Sequence, residues 1–235
     1  FLLSLLLFYT AAKIYLRYAQ PQFYTKTSLK LQESKGKSTA LSDLKNLGMG
    51  VSGDNELQGE TTVIISKPIL TKVVQNLNLD VTFFSQGTIK EVELYSDSPL
   101  TGKIVKLSKP DTFNSAAFII TPVGKNSYRL SDSNTIYRFG LPAEISLGTI
   151  LLDAKPGVVL SSPLKVVFRN TKMVVNNLEG SINVSLPENK GLLMELSVIG
   201  PVPKKSEDIL NEVSSQYIID GINDKNEEAT NTQKF

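Results

Sequence analysis

The feature that most constrains this chain is its opening run, FLLSLLLFYTAAKIYLRY from Phe1 to Tyr18. No charge interrupts it before Lys13, and the hydroxyls of Ser4 and Thr10 are ones a helix can satisfy against its own backbone. The uncharged stretch is twelve residues, against the ~20 that a spanning helix needs. Because the chain opens on Phe1 rather than Met, with no charged flank in front, the run is read as the later part of a longer segment. A signal peptide would have a basic region before the run and a small-x-small cleavage site after it, and the sequence has neither. Tyr15, Arg17 and Tyr18 stand where interface anchors belong, with Lys13 and Arg17 reaching toward headgroups. The expectation is an N-terminal transmembrane helix over residues 1–20, with the lipid bilayer as a partner. Its orientation stays open, because the positive-inside rule compares two flanks and one is in hand.

Pro21 ends that helix, and Phe23 to Gln32 then alternates as a strand with Phe23, Thr25, Thr27, Leu29 and Leu31 on one face. Ser34 to Asn55 is polar and glycine-rich and reads as a loop. It contains Gly36-Lys37-Ser38-Thr39, the end of a phosphate-binding loop. That motif also needs a glycine where this chain has Leu31, so the backbone cradle is missing and a solvated loop is the plainer reading. Asn55 to Leu79 reads as two helices divided at Pro68, which is tolerated only in the first turn of the second. There Ile69, Leu70, Val73, Val74 and Leu77 make one apolar stripe, a core face or a partner groove.

From Val81 to Phe168 the period becomes two, with short strands separated by turn signals such as Gly124-Lys125-Asn126 and Asp132-Ser133-Asn134. That spacing suggests a small antiparallel sandwich or barrel. Ser181 to Leu186 and Leu192 to Ile199 read as a strand pair joined by Pro187 to Gly191. Ser206 then caps a helix with Glu207 and Asp208 in its first turn, and Ile209, Leu210, Val213, Tyr217 and Ile218 as its buried side. Past Gly221 the apolar content collapses and no C-cap closes the segment, as in a projecting coiled-coil arm.

Chemistry is bounded mainly by what is missing. With no His and no Cys, imidazole-based triads, His-ligated metals, disulfides and thiolate zinc sites are impossible within these residues. A net charge of +2 and no basic stripe interleaved with aromatics give no reason to expect nucleic acid. Glu91, Glu93, Asp97 and Asp111 invite a glycosidase reading, but that needs two carboxylates about 5 to 9 Å apart across a bond, and charges on turns and strand exteriors are normally solvated. Asn183-Val184-Ser185 matches a glycosylation sequon inside a strand. No catalytic, cofactor-binding or metal-binding residue is assigned.

The order of elements, the stretch Ile65-Ser66-Lys67-Pro68-Ile69-Leu70-Thr71-Lys72-Val73-Val74-Gln75-Asn76-Leu77-Asn78-Leu79, the stretch Glu93-Leu94-Tyr95-Ser96-Asp97-Ser98-Pro99-Leu100 and the run Asp208 to Val213 together resemble the Wzz/Wzc-like polysaccharide co-polymerases, or chain-length determinants. The likeness is greatest to the Bacteroidetes-type members that carry a tyrosine autokinase. The resemblance implies an α+β fold: the N-terminal transmembrane helix over 1–20, a membrane-proximal α/β domain from 21–80 and 164–205, a β-rich insertion at 81–163, and the start of a long helical arm at 206–235. It implies a bacterial inner-membrane protein with a single span and a periplasmic domain, working as a ring-shaped homo-oligomer, often eightfold. Its partners would be a polysaccharide polymerase and an outer-membrane export protein. It would regulate the chain length and export of capsular or exopolysaccharide. No cofactor belongs to these residues; ATP and magnesium would enter only with a kinase domain elsewhere in the protein. The alternative reading is a periplasmic adaptor of a membrane export pump.

Overall fold

In the computed structural model, which describes residues 2–30, 53–87, 91–109, 112–187 and 193–232, the opening run forms helix α1 (Leu2–Tyr18). Thr10 donates its hydroxyl back to the Leu7 carbonyl at 2.9 Å, and the Lys13 ammonium sits 5.8 Å from the centre of the Tyr9 ring. The expected transmembrane helix over 1–20 is corrected here: among the described residues no helix is long and apolar enough to cross a membrane. The reason is length and charge together. Its 17 residues rise only ~26 Å at ~1.5 Å each, against ~30 Å of hydrocarbon, and Lys13 and Arg17 fall in its second half. The single inner-membrane span that the resemblance implies, with the lipid bilayer as its partner, is likewise not supported by any described helix.

The chain divides into two compact units, one of Phe1–Phe23, Asp80–Asn170 and Gly200–Val202, the other of Tyr24–Leu79, Thr171–Ile199 and Pro203–Phe235. In the first, alternating residues build β2 (Val81–Gln86), β3 (Glu91–Leu94), β4 (Leu100–Leu107), β5 (Ser115–Pro122), β6 (Ser127–Leu130), β7 (Ile136–Arg138), β8 (Pro142–Ile145), β9 (Gly148–Ala154) and β10 (Leu164–Arg169). They form a six-stranded sheet ordered β3-β2-β10-β5-β6-β7 and a three-stranded sheet ordered β4-β9-β8. Every registered pair within them is antiparallel.

One face of each sheet meets a shared core in which Ile120, Tyr128, Ile150, Leu152, Val166 and Phe168 are fully buried. Phe118 packs edge-on to Phe168 at 6.0 Å. Close approach of β4 to β2 depends on Gly102, where a Cβ would stand 2.7 Å from Val81 Cγ1 and 3.1 Å from Phe83 Cζ. At Gly148, with φ of +138°, a Cβ would run into the Lys106 carbonyl, so the β8–β9 turn requires glycine on both grounds.

The second unit contains β1 (Phe23–Lys30), helices α2 (Gly53–Ile64), α3 (Lys67–Asn76) and α4 (Thr171–Ser181), strands β11 (Ile182–Ser185) and β12 (Leu193–Gly200), and the helix α5 (Pro203–Thr232). Its sheet is ordered β1-β12-β11, with β11 and β12 antiparallel and Ile182 opposite Val198. From Thr25 on β1 alternates as expected, Thr25, Thr27 and Leu29 being half-buried and the residues between them exposed, but Phe23, expected on the same face, is exposed and Leu31 lies outside the described residues. Pro68 sits in the first turn of α3, where its missing N–H costs nothing, and Ile69, Leu70, Val73 and Val74 are buried. At its end Leu77 is the C-cap and Asn78 turns left-handed at φ of +49°. The Leu79 N–H then reaches the Val74 carbonyl at 3.0 Å, and that of Asn78 reaches Gln75 at 3.4 Å. This pair of bonds is a Schellman closure, which satisfies carbonyls the helix leaves open.

Two expectations shift. α5 starts at Pro203, three residues before Ser206, with the proline occupying a first-turn position that suits it. Helix α4 has no counterpart in the sequence reading at all. The Ser34–Asn55 loop with its Gly36-Lys37-Ser38-Thr39 stretch lies outside the described residues up to Ser52, as do Glu188 to Leu192 between β11 and β12.

Candidate functional site

Three polar contacts hold α5 to α2 and α3, and a fourth within α5 supports one of them. The Tyr217 hydroxyl donates to Glu60 Oε2 at 2.6 Å. Lys72 Nζ meets Asp220 Oδ1 at 3.0 Å, and Asn76 Nδ2 donates to Glu212 Oε1 at 2.7 Å. Gln216, itself buried, donates to the same Glu212 oxygen at 2.8 Å. Glu212, Gln216 and Asp220 recur every four residues, so one face of the helix carries the whole row. Beneath it lie the buried side chains of Ile209, Leu210 and Val213.

Burial, then the bond to Glu60, drives the Tyr217 phenol well above its ordinary range, so it stays protonated as the donor this contact needs. Lys204 bridges to Glu207 at 3.4 Å and Asp208 at 3.0 Å in the first turns; these exposed links contribute little to stability.

Away from this row α5 changes character. Ile218, expected on the buried side, is 50% exposed, and Ile219 and Ile222 are exposed with it. Spaced at i, i+1 and i+4, they make an apolar stripe on a helix otherwise rich in Asp, Glu, Asn and Lys. The arrangement supplies a fixed base and a helix presenting isoleucines.

Of the acidic residues singled out for glycosidase chemistry, the structure describes Glu91, Glu93 and Asp97. Glu91 and Glu93 stand two residues apart on β3, side by side. The Glu91 carboxylate is engaged by Lys165 Nζ at 2.7 and 3.0 Å, and Asp97 accepts a 3.3 Å bond from the neighbouring Ser96 hydroxyl. Asp111 lies outside the described residues. Among the described residues there is no cluster of three carboxylates able to hold a metal ion. Asn183 of the sequon is exposed on β11, opposite Ser197.

Sequence reasoning did not find Glu60, Lys72, Asn76 or Lys165. The Tyr217–Glu60 and Lys165–Glu91 pairs are 157 and 74 residues apart along the chain, and only the fold brings them together. The four-residue recurrence on α5 was the one readable signal.

No protein-family model matches the chain. It is similar to the tyrosine-protein kinase wzc of Salmonella typhi, at 22% identity over an alignment covering 97% of this chain and 32% of that protein. The tyrosine-protein kinase wzc of Salmonella typhimurium matches with the same identity and the same shares. The chain therefore spans about a third of the length of the curated relatives it matches.

Proposed function

We propose that these residues are the length-setting segment of a polysaccharide co-polymerase, in a protein that carries a tyrosine kinase elsewhere. The segment acts through assembly rather than through chemistry of its own. Copies associate into a ring that regulates the length and export of a capsular or extracellular polysaccharide made by a separate polymerase. The observation that carries this reading is the similarity to the two wzc kinases, which extends over 97% of the chain rather than over one motif. The order of helices and strands, and the resemblance of residues 65–79 and 93–100 to chain-length determinants, point the same way. The Ile218, Ile219 and Ile222 stripe supplies apolar surface for contact between copies.

The test is the size distribution of the host's capsular or extracellular polysaccharide with and without this chain. Loss of the chain is expected to broaden or shift the modal length while monomer incorporation continues. An unchanged distribution would overturn the reading.

A further inference from the structure

The six-stranded sheet meets the core with one face, and the opposite face is exposed at its β6–β7 end. Tyr128 and Leu130 point into the core, so Arg129 between them points outward. By the same alternation Tyr137 packs against the core and its neighbours Ile136 and Arg138 face out. The register sets Arg129 opposite Ile136 and Ser127 opposite Arg138. The two arginines are thus diagonal neighbours across β6 and β7, about 7–8 Å apart at the backbone.

Both are exposed, and among the described residues neither guanidinium has a hydrogen-bond or ion-pair partner. Lys165 on β10 differs, because Glu91 neutralises it at 2.7 Å. Arg169, on the same face of β10, donates to the Thr82 hydroxyl at 2.8 Å, which leaves the two arginines of β6 and β7 as the cations of this face without a partner among the described residues. Beside them Ile136 is 60% and Ile119 37% exposed, so bare apolar side chains lie next to cations.

We propose that this face binds an acidic polysaccharide, resting on the polysaccharide reading above. The Arg129 and Arg138 forks would each take a carboxylate, which a guanidinium matches bidentately and holds charged at any physiological pH. Ile136 and Ile119 lie under the apolar C–H faces of the sugar rings. A neutral glycan would gain only the second contribution, so charge gives the face its selectivity. An edge strand such as β7 also uses cations merely to discourage sheet-to-sheet pairing, and that role needs no ligand.

The experiment measures binding of the full chain to immobilised polygalacturonate and to immobilised dextran, at low and high salt. Binding to polygalacturonate and not to dextran is expected, weakening as salt screens the charges. The Arg129→Glu/Arg138→Glu variant is expected to lose about ten-fold or more in affinity. Lys103→Glu/Lys106→Glu, which makes the same charge change on exposed positions of β4, is expected to stay within about two-fold. The milder Arg129→Gln/Arg138→Gln pair, checked for an unchanged melting temperature, should lose affinity in the same direction if the Glu pair does not fold.

No binding to polygalacturonate, equal binding to dextran, or an equal loss in the lysine control would overturn the proposal. Such a failure with polymer length still dependent on the chain removes the site and leaves the length-setting reading standing. Loss of the length effect would remove that reading instead.

Discussion

Tyr128 is the residue whose chemistry is most exposed to test, because it is fully buried and its hydroxyl has no hydrogen-bond partner among the described residues. Its ring stacks on Phe139 at 4.7 Å and lies 5.6 Å from Tyr137, so the side chain is retained for packing. Replacing it with Phe keeps that packing and removes the unpaired hydroxyl, so stability should hold or rise by up to about 1 kcal/mol. A clear loss in chemical denaturation would mean that the hydroxyl does have a partner. Burial, with a smaller contribution from Tyr137, also pushes the phenol up to about 12 from its usual 10.0. The unfolded chain gives up this proton near 10 and the folded chain holds it to about 12. The contribution is therefore intact below pH ~10 and is lost as pH climbs through ~12, about 2–3 kcal/mol in all. Denaturation midpoints measured along that range should fall in the native chain and fall less in Tyr128→Phe.

At the scale of elements, the end of α3 offers the sharpest substitution. Asn78 holds a positive φ that glycine adopts without strain. Asn78→Gly is expected to stabilise the chain by about 0.5 kcal/mol, whereas Asn78→Val should cost about 1–2 kcal/mol. Equal melting temperatures for the two variants would mean that the closure contributes nothing. This helix was legible in advance because Pro68 marks its start and four buried positions repeat at helical spacing. α4 was not: TKMVVNNLEGS mixes two asparagines, a glycine and adjacent valines, all weak helix formers, around only Val174, Val175 and Leu178 as buried positions. Tertiary packing against α3 holds it. α1 was read correctly as a helix and wrongly as a span, since apolar composition reports what a helix is made of and only its length and charges decide whether it can cross a bilayer. Side-chain pairing escaped the sequence altogether. Nothing local to Tyr217 or Lys165 distinguishes a partner in another element from water.

For the whole molecule, the proposed role rests on copies meeting along α5 while its base stays fixed by Glu60, Lys72 and Asn76. Ile218→Asp/Ile222→Asp alters only exposed positions, so folding should be unaffected while association is lost. Neutral Ile218→Ser/Ile222→Ser should weaken association less, because it removes apolar area without adding like-charge repulsion between copies. The deciding measurement is the polysaccharide length distribution in cells that carry the Asp pair in the intact protein. Polymer still made, but with a modal length displaced as in cells lacking the chain, is the expected result. A distribution indistinguishable from that of the unaltered protein, in cells where light scattering of the purified variant shows association abolished, would contradict control of length by assembly.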